Sequence, residues 1–599
     1  MGVAERIRSE YAYLSGVLRT LAKVKPVVRN PQRTFPDVAE ELAARHGDRP
    51  ALVSERESLT YRQYNARANR YARWAQRHGI GKGDCVALYM PNRPEYLAIW
   101  LGVARAGGVT ALLNTNLTGP ALAHCVNIVR PKHVIVDQPL VAAFQTAEAH
   151  LDAGPAFWAT GDAPEGWQPL DAALKGLSDA AIPAAERPSL TTEDRCLYIY
   201  TSGTTGVPKA ANINHYRVQA IMFAFNAAMA VRPDDRIYVC LPLYHTSGGV
   251  LAAGAALTAG AGVVIREKFS AGQFWDDVVG YDCTLFQYIG ELCRYLLNSP
   301  THPKEAAHRL RLACGNGLRP DIWEDFQKRF RIPRILEWYA ATEGNAVLVN
   351  FDGKVGAVGR IPCYLRHKFA TEIIRIDLDT EQPLRGKDGF CIRCAPGEPG
   401  ELVSQILNDP SRPSQRFEGY ADAKASEQKV LHGAFSEGDR WFRTGDLLRR
   451  DARGYFYFVD RIGDTFRWKG ENVATSEVAE AITIFPGVKE ANVYGVTLGK
   501  LEGRAGMAAL VVEDDFDLEG FHDHVVQQLP AYARPVFLRL RRQMDVTSTF
   551  KLRKVELAKQ GFDPDASDEP LYFNHPERGA YVPLDRQLHD DILAGRLRL

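Results

Sequence analysis

The chain has 599 residues, enough for several domains or for one large composite domain. Its apolar content of 46% and charged content of 24% are ordinary for a soluble globular protein. Basic and acidic residues number 73 and 72, so the formal charge is only +1. This balance lacks the strong basic excess of a nucleic-acid-binding protein, and we expect no nucleic-acid partner.

Ten cysteines without short regular spacing predict a reducing compartment. The one close pair, Cys391 and Cys394, has no second pair nearby and indicates a structural role rather than a zinc site. The first 30 residues lack an unbroken apolar core, so no secretory signal is predicted. We therefore expect a cytoplasmic protein, with peripheral contact at the inner face of a membrane as an alternative.

An amphipathic helix is predicted at residues 5–25, within a helical lead-in that comprises residues 1–50. Leu14, Val17, Leu18 and Leu21 fall on one face of that helix, with arginines and lysines in between. Such a helix can lie on an anionic membrane, but packing against the protein is the more common outcome. Packing is favoured here, and the membrane alternative stays open.

Helix and strand patterns alternate from about residue 61 to about residue 345. A helical pattern at 61–78 leads into a strand at 85–89, and Pro91-Asn92 open a helix that runs to Val103. Gly107-Gly108 end that helix before another strand. This alternation predicts an α/β fold with layers of helices around largely parallel sheets.

The most informative stretch is a strand that ends in a loop rich in hydroxyl groups. Residues 196–200 form the predicted strand, and the loop follows with Thr201, Ser202, Gly203, Thr204, Thr205, Gly206, Val207, Pro208 and Lys209. Hydroxyls and bare amides can donate to a polyphosphate, and the lysine adds positive charge. The proline before the lysine, and the strand-like segment after it, exclude the P-loop in which Gly-Lys-Ser/Thr opens a helix. We predict a nucleotide-handling loop of another type.

The longest uncharged stretch, residues 247–265, has the length of a membrane span. Gly260-Ala261-Gly262 divide it, and we predict a small-residue helix followed by a strand at 263–265. No transmembrane span is expected.

Two regions follow with different character. Residues 395–420 are rich in proline, glycine and polar groups, which favours turns rather than core. From Thr475 a smaller α+β unit is predicted, with a helix to about Thr483, strands near 490–495 and 506–512, a helix near 518–527 and a strand near 536–540.

Four further motifs follow the phosphate loop in a fixed order. They occupy residues 241–248 (LPLYHTSG), 339–345 (YAATEGN), 441–446 (WFRTGD) with 460–464 (DRIGD), and 547–554 (TSTFKLRK). In this order and spacing they resemble the adenylate-forming superfamily of acyl-CoA synthetases, non-ribosomal peptide adenylation domains and firefly luciferase. The resemblance runs over about residues 50–560.

A longer string, residues 458–473 (FVDRIGDTFRWKGENV), resembles the signature of the fatty acid transport protein, or very long-chain acyl-CoA synthetase, family. Residues 288–291, 314–320 and Tyr572 agree with that family. The resemblance implies a large N-terminal domain of layered sheets and helices plus a smaller, mobile α+β C-terminal domain. We predict an AMP-binding domain at 51–461, a hinge at 462–464 and a C-terminal domain with a tail at 465–599.

The resemblance also implies the reaction. A carboxylate and ATP form acyl-AMP and pyrophosphate, and the thiol of coenzyme A then displaces AMP to give a thioester, with Mg²⁺ as cofactor. The implied nucleotide-binding residues are Tyr200, Thr201, Ser202, Gly203, Thr204, Thr205, Gly206, Lys209, Gly315, Asn316, Gly317, Tyr339, Asp446 and Arg461. Among them, Tyr339 would stack on adenine, and the backbone of residues 315–317 would run along the adenine edge. Asp446 and Arg461 would reach the ribose.

Attack of a carboxylate on the α-phosphate brings two anions together, so the site must neutralise charge. By the resemblance, Glu343 would bind Mg²⁺ through oxygen, as that hard cation prefers, and Thr342 would donate to the α-phosphate. Lys551 would bridge the carboxylate and α-phosphate oxygens, although Ser548 stands nearby where relatives often carry glycine. His245 would lie near the acyl carboxylate and the thioester tunnel.

Lys551 and the Lys469-Gly470 loop lie on the smaller domain, yet both bear on one active site. A single arrangement is unsuited to both half-reactions, so we predict that this domain rotates about residues 462–464. Gly463 would absorb the backbone change beside Asp464, and Lys469 and Gly470 would face coenzyme A.

The family points to long or very long fatty acids as substrates. Residues 218–231, with Ile221, Met222, Phe223 and Phe225, and the small-residue helix after His245 would line an apolar channel or belong to the core. Bile-acid or sterol side-chain carboxylates, a fatty acyl-AMP ligase and a non-catalytic transport or binding protein are the alternatives. A peptide-synthetase adenylation domain is less expected, because the chain leaves no room for a carrier domain after it. Uptake by trapping the fatty acid as its CoA ester would unite enzyme and transporter.

Overall fold

The computed structural model describes residues 3–152, 154–202, 208–378, 380–469, 471–498, 503–546 and 553–597. The large domain contains a seven-stranded sheet over these residues, parallel except for its last pair. In spatial order its strands are Gln168–Pro169, Ala156–Ala159, His133–Val136, Cys85–Tyr89, Val109–Leu112, Arg195–Ser202 and Pro208–Asn214.

A second sheet of the large domain has eight described strands, parallel in its interior and antiparallel at both edges. Its order is Val347–Asn350, Ile335–Ala340, Leu312–Asn316, Leu285–Ile289, Arg236–Val239, Gly262–Ile265, Pro50–Val53 and Ser58–Thr60. Parallel strands require helical crossovers, which cover both sheets. These helices are Phe35–His46, Tyr61–Arg77, Pro94–Arg105, Gly119–Asn127, Val141–Glu148, Leu170–Leu174, His215–Met229, Gly254–Ala259, Phe274–Gly280, Gly290–Asn298 and Pro320–Phe330.

The predicted alternation of helices and strands is confirmed. The helix predicted to open at Pro91-Asn92 begins instead at Pro94, because the Asn92 side chain links two loops. Its amide nitrogen donates to the carbonyls of Leu241 (2.9 Å) and Arg266 (3.0 Å), and its oxygen accepts from the Leu243 amide (2.8 Å). Asn92 therefore holds the chain that leads into His245.

The uncharged stretch also folds as predicted. π-Helical turns at Thr246–Ala253 continue into the helix Gly254–Ala259, and the strand Gly262–Ile265 follows. Across the described ranges, no helix combines the length and the apolar character that crossing a membrane requires.

A third, antiparallel sheet closes the large domain. Its described strands are Gly359–Arg360, Tyr455–Arg461, Arg440–Arg450, Pro399–Gln405 and Thr371–Ile374, with Val430–His432 paired to Arg440–Arg450. The prediction of turns throughout 395–420 is wrong for Pro399–Gln405, where Leu402 and Val403 are fully buried. This strand is paired on both sides and therefore lies inside the sheet. Its glycine and polar residues are typical of turns, so the sequence did not indicate that interior position.

The first helix, Val3–Arg29, packs on the large domain as expected, but the face that carries the predicted leucines is not the one that packs, and of the four predicted residues only Val17 is partly buried against the core. Tyr13 and Val27 are buried, whereas Leu14, Leu18 and Leu21 are 39%, 65% and 60% exposed. The reason is Gly16, since a Cβ there would lie 2.3 Å from the Phe351 ring. Glycine thus lets its own face approach the protein, and that rotation turns the leucines outward.

The small domain follows the predicted element order. A hairpin of Phe466–Trp468 and Glu471–Val473 precedes a five-stranded sheet of Val488–Thr497, Arg504–Val512, Phe537–Arg541, Leu571–His575 and Ala580–Pro583. Its helices, within the described ranges, are Thr475–Thr483, Leu518–Gln528, Val555–Gln560 and Arg586–Leu593. The boundaries at 51–461, 462–464 and 465–599 remain predictions.

Two arginines of the large domain hold the small domain in this arrangement. Arg294 Nη2 lies 3.1 Å from Glu490 Oε1, and Nη1 donates to the Lys489 carbonyl over 2.6 Å. Arg319 donates to Thr483 Oγ1 over 2.5 Å. These contacts are polar, as is common at interfaces between domains of one chain.

Candidate active site

The phosphate loop connects the two antiparallel strands at the edge of the seven-stranded sheet. Thr201 and Lys209 face each other in register on either side of it. The Tyr200 hydroxyl donates to the Cys125 carbonyl over 2.6 Å, so the side chain of this predicted nucleotide ligand lies in the core. Four predicted ligands and one side chain lie outside the described residues: Gly203, Thr204, Thr205, Gly206 and the side chain of Ser202.

Tyr420 links strand Pro208–Asn214, which follows the predicted phosphate loop and is called the phosphate strand below, to Glu343, the predicted magnesium ligand. Its hydroxyl donates to Glu343 Oε1 over 2.6 Å, and the Lys209 ammonium lies 5.7 Å from its ring centroid. Its backbone forms a β-bridge with Ala211 of the phosphate strand. Burial, followed by the Glu343 carboxylate, raises the pKa of Tyr420, so the phenol stays protonated as a donor.

Arg217 supports the turn that carries Thr342 and Glu343. Its guanidinium donates to the carbonyls of Ala341 (3.2 Å) and Gly344, which bracket those two residues. Burial lowers the pKa of Arg217, while the nearby Glu343 opposes that shift. The arginine therefore fixes the backbone of the turn and adds positive potential beneath it.

Thr246, which follows His245 in the chain, contacts the same turn. The Thr246 hydroxyl donates to Thr342 Oγ1 over 3.2 Å, and His245 stands directly before the π-helical turns. A Cβ on Gly249 would lie 2.2 Å from the Leu243 carbonyl oxygen, so glycine is required for this close turn. Such π-helical segments occur often at functional sites.

The predicted adenine loop, Gly315 to Gly317, leaves the end of strand Leu312–Asn316. Gly317 has a φ of +78°, a left-handed conformation that favours glycine. A Cβ on the neighbouring Gly290 would lie 1.7 Å from the Gly317 carbonyl oxygen. Among the described residues, buried Asn316 Oδ1 has no hydrogen-bond partner, which suits a ligand N–H donor.

Glu337 lies buried beneath this loop, with 1% of its surface exposed. Oε1 accepts from the Leu318 amide over 3.1 Å, and Oε2 accepts from the Tyr288 hydroxyl over 2.5 Å. Burial raises the pKa of Glu337 to about 8, although these hydrogen bonds oppose the shift. A carboxyl that is protonated at neutral pH thus holds the loop in place.

The predicted ribose site joins two adjacent strands. Asp446 and Arg461 are cross-strand partners, with Arg461 Nε 3.9 Å from Asp446 Oδ1. The Tyr339 hydroxyl donates to Asp446 Oδ2 over 2.6 Å. Burial, then Asp446, raises the pKa of Tyr339 well above its ordinary value. The structure therefore brings together the predicted adenine and ribose residues.

The predicted hinge residue Asp464 takes part in contacts next to the junction of the two domains. Lys554 Nζ donates to Thr475 Oγ1 over 2.6 Å and lies 3.3 Å from Asp464 Oδ2. Thr475 in turn donates through its amide to buried Asp460 over 2.5 Å. Lys469 is exposed, with a φ of +52° at the tip of the hairpin. Gly463 is exposed too, whereas Lys551 and Gly470 lie outside the described residues.

Three site residues were missed by the sequence analysis. Tyr420 lies in the stretch predicted to form turns, and Arg217 lies in the first turn of helix His215–Met229, for which only apolar residues were predicted to have a role. Glu337 offered a usable signal, because a single acid in the otherwise apolar strand Ile335–Ala340 is expected to have a special partner.

The fold and this arrangement define a nucleotide-binding enzyme of two domains. A family model described as AMP-binding enzyme matches residues 39–405, and one described as AMP-binding enzyme C-terminal domain matches residues 477–551. The chain therefore belongs to the AMP-binding enzyme family and, within it, to the group of the long-chain fatty acid transport proteins. It is 42% identical to long-chain fatty acid transport protein 1 of Mus musculus over 97% of this chain and 91% of the mouse protein.

Solved structures share the fold. The anthranilate CoA ligase in complex with anthranoyl-AMP is 20% identical, with a TM-score of 0.74 over 88% of this chain and 97% of its own. A fatty acyl CoA synthetase of Mycobacterium tuberculosis is 24% identical, with a TM-score of 0.62 over 89% of this chain and 99% of its own.

We predict that Tyr420→Phe weakens magnesium use. Removal of the hydroxyl leaves Glu343 without its donor, while the ring beside Lys209 remains. A hydrogen bond to a charged group contributes about 1.5–3 kcal/mol, so the Mg²⁺ concentration for half-maximal rate should rise about tenfold or more. Tyr457→Phe removes another tyrosine–carboxylate bond, to Asp451, and is the matched control. Equal Mg²⁺ requirements in the two variants would contradict this role.

We predict that Glu337→Gln flattens part of the pH dependence of stability. The folded state retains a proton on Glu337 up to about pH 8, whereas an unfolded glutamate loses it near pH 4. Wild-type stability therefore falls as pH rises through this window, and the glutamine variant lacks that contribution. Denaturation midpoints measured across the window test it, with exposed Glu324→Gln as control. Parallel curves for wild type and Glu337→Gln would exclude the shifted carboxyl.

Proposed function

We propose that the protein is an AMP-forming acid–CoA ligase that activates long or very long-chain fatty acids with ATP, Mg²⁺ and coenzyme A. The observation that carries this proposal is the contact of one tyrosine, Tyr420, with both Lys209 and Glu343. A phosphate-binding cation and a magnesium-binding carboxylate are thereby held side by side. A non-catalytic carrier has no need for this pair.

The residues at this point fit a magnesium ion that arrives with the nucleotide. Glu343 Oε1 is taken by Tyr420, and Oε2 accepts no hydrogen bond from the residues that the structure describes. Mg²⁺ is usually held by one or two carboxylates plus substrate phosphates, so one glutamate is enough. When bound, the ion would supply positive charge to the phosphate oxygens.

The chain's own residues then perform three tasks. Lys209 attracts the outer phosphates, while Thr342 donates to the α-phosphate from the turn that Arg217 holds rigid. Asp446 and Tyr339 bind the nucleoside end, so the α-phosphorus is positioned between two fixed anchor points. His245 lies beside the same turn, where the acyl carboxylate would enter.

The substrate class rests on the relatives. Long-chain fatty acid transport protein 1 of mouse is similar over almost the whole chain, and the Mycobacterium tuberculosis protein is named a fatty acyl CoA synthetase. Acyl-CoA formation traps a fatty acid inside the cell, so one reaction serves both ligation and uptake. A bile-acid or sterol carboxylate is the alternative substrate.

The predicted acyl channel would lie between helices His215–Met229 and Gly254–Ala259. Val218, Met222 and Phe225 are buried, and Phe223 and Ile221 are half-buried. A Cβ on Gly254 would lie 2.2 Å from Met222 Cγ, so the two helices are in contact. Entry of an acyl chain here therefore requires Met222 to change rotamer, which a flexible methionine does readily.

A cytoplasmic site of action is part of this proposal. All ten cysteines are free thiols, and nine of them are buried. Free buried thiols are typical of proteins from a reducing compartment.

A panel of carboxylic acids tests the activity. We expect ATP- and CoA-dependent AMP release with acids longer than palmitate, and less with hexanoate or a bile acid, because each buried methylene contributes about 0.8 kcal/mol.

Lys551→Ala should lower the rate of acyl-AMP formation by a factor of about 10²–10³, and the exposed control Lys559→Ala should not lower it. A lack of activity with every acid would overturn the ligase proposal. Adenylate accumulation that ignores CoA would identify an acyl-AMP ligase.

The hinge is tested by Gly463→Pro. Proline restricts the backbone rotation that residues 462–464 would undergo between the two half-reactions. We expect one half-reaction, acyl-AMP formation or thioester formation from added acyl-AMP, to be retained and the other to fall at least about tenfold. Single-turnover assays of each step, with circular dichroism as the folding control, measure this. Equal loss of both steps in a folded variant would refute a hinge at this position.

A further inference from the structure

The outer face of the first helix, Val3–Arg29, carries an exposed apolar stripe. Ile7, Tyr11, Leu14, Leu18 and Leu21 recur at alternating steps of four and three residues, so they lie along one side of the helix. Their exposed fractions are 65%, 75%, 39%, 65% and 60%. Within the described part of the chain, these are five of the thirteen large apolar side chains that are exposed.

The opposite face fixes the helix to the large domain. Ser9 hydrogen-bonds Asp352, and Arg19 Nε donates to the Ala227 carbonyl over 3.3 Å. Tyr13 is fully buried. The stripe is thus held rigidly outward and extends about 21 Å at 1.5 Å per residue.

The charges around the stripe select its partner. The helix has six cations and two acids, Glu5 and Glu10. By the helical period, four of the cations lie on or beside the stripe, and these are Arg6, Arg8, Lys25 and Arg29, whereas Arg19 and Lys23 fall on the other side. Arg360 binds the Glu10 carboxylate, as does the Tyr364 hydroxyl at 2.6 Å. The remaining charge is therefore strongly positive, and two such helices would repel each other, whereas an anionic surface would attract them.

A second segment extends this face. Tyr364, half exposed beside Glu10, belongs to the turn Cys363–Lys368, in which Lys368 is exposed as well. Tyrosine is enriched at membrane–water interfaces because its ring is amphipathic. Lysine can place its stem on apolar surface while its ammonium stays in water.

We propose that this face, consisting of the apolar stripe and the Cys363–Lys368 turn, docks on an anionic lipid bilayer. The leucines would enter the boundary between head groups and acyl chains, and the flanking cations would contact the head groups. The helix thus packs against the protein and lies on the membrane at the same time. This proposal does not rest on the ligase activity.

Co-sedimentation of the full chain with vesicles tests the docking face. Wild-type protein should bind vesicles containing phosphatidylserine more tightly than phosphatidylcholine vesicles, and less tightly at high salt. The triple variant Leu14→Gln, Leu18→Gln, Leu21→Gln should lower the partition coefficient about a hundredfold. Leu384→Gln, Ile484→Gln, Val555→Gln removes three similarly exposed apolar side chains elsewhere and should leave it unchanged.

Two further measurements separate the alternatives. The triple variant should keep wild-type turnover of a soluble acid without vesicles, since its substitutions lie on the outer face; a loss of turnover would show a structural role and overturn the proposal. Undiminished vesicle binding by the triple variant would also overturn it. So would sedimentation of the wild type as a dimer that the triple variant dissociates, because the stripe would then bind a second copy.

Discussion

One phenol placed between two opposite charges is the interaction on which the candidate site depends. Tyr420 donates to the Glu343 carboxylate and presents its ring to the Lys209 ammonium. These three residues come from different sheets or loops, and the β-bridge of Tyr420 to Ala211 sets their spacing. A cation and a carboxylate from distant parts of the chain are thus both held against the same side chain.

Around this pair, buried polar groups stabilise backbone rather than contact a reacting atom. Arg217 binds the carbonyls on both sides of Thr342-Glu343, and the protonated Glu337 holds the loop that is predicted to contact adenine. Both groups are costly to bury, and their hydrogen bonds offset part of that cost. The result is a site whose donors are positioned before a ligand arrives.

The interface between the two domains and the outer face of the first helix differ in polarity. Polar arginine contacts join the domains, and such contacts can be exchanged for contacts with water at little cost. The first helix instead uses Gly16 to pack one face tightly, which leaves an apolar face on the outside. Unlike a domain interface, an exposed apolar stripe needs a partner that removes it from water.

Much of the fold followed from the sequence alone, because local periodicity and glycine or proline breaks encode element order. The alternating large domain, the small domain after Thr475 and the split at Gly260-Ala261-Gly262 were all predicted in this way. The order of short motifs was sufficient to indicate the family. The strand Pro399–Gln405 was not predicted, because pairing with a strand on each side buries residues that are typical of turns.

Only the tertiary structure decided which side chains meet. Tyr420 and Glu343 are 77 residues apart, and no local pattern predicts their hydrogen bond. The orientation of the first helix depended on a contact between Gly16 and Phe351, again far apart in sequence. Periodicity places apolar residues on one face of a helix, but the neighbouring surface decides whether that face is covered.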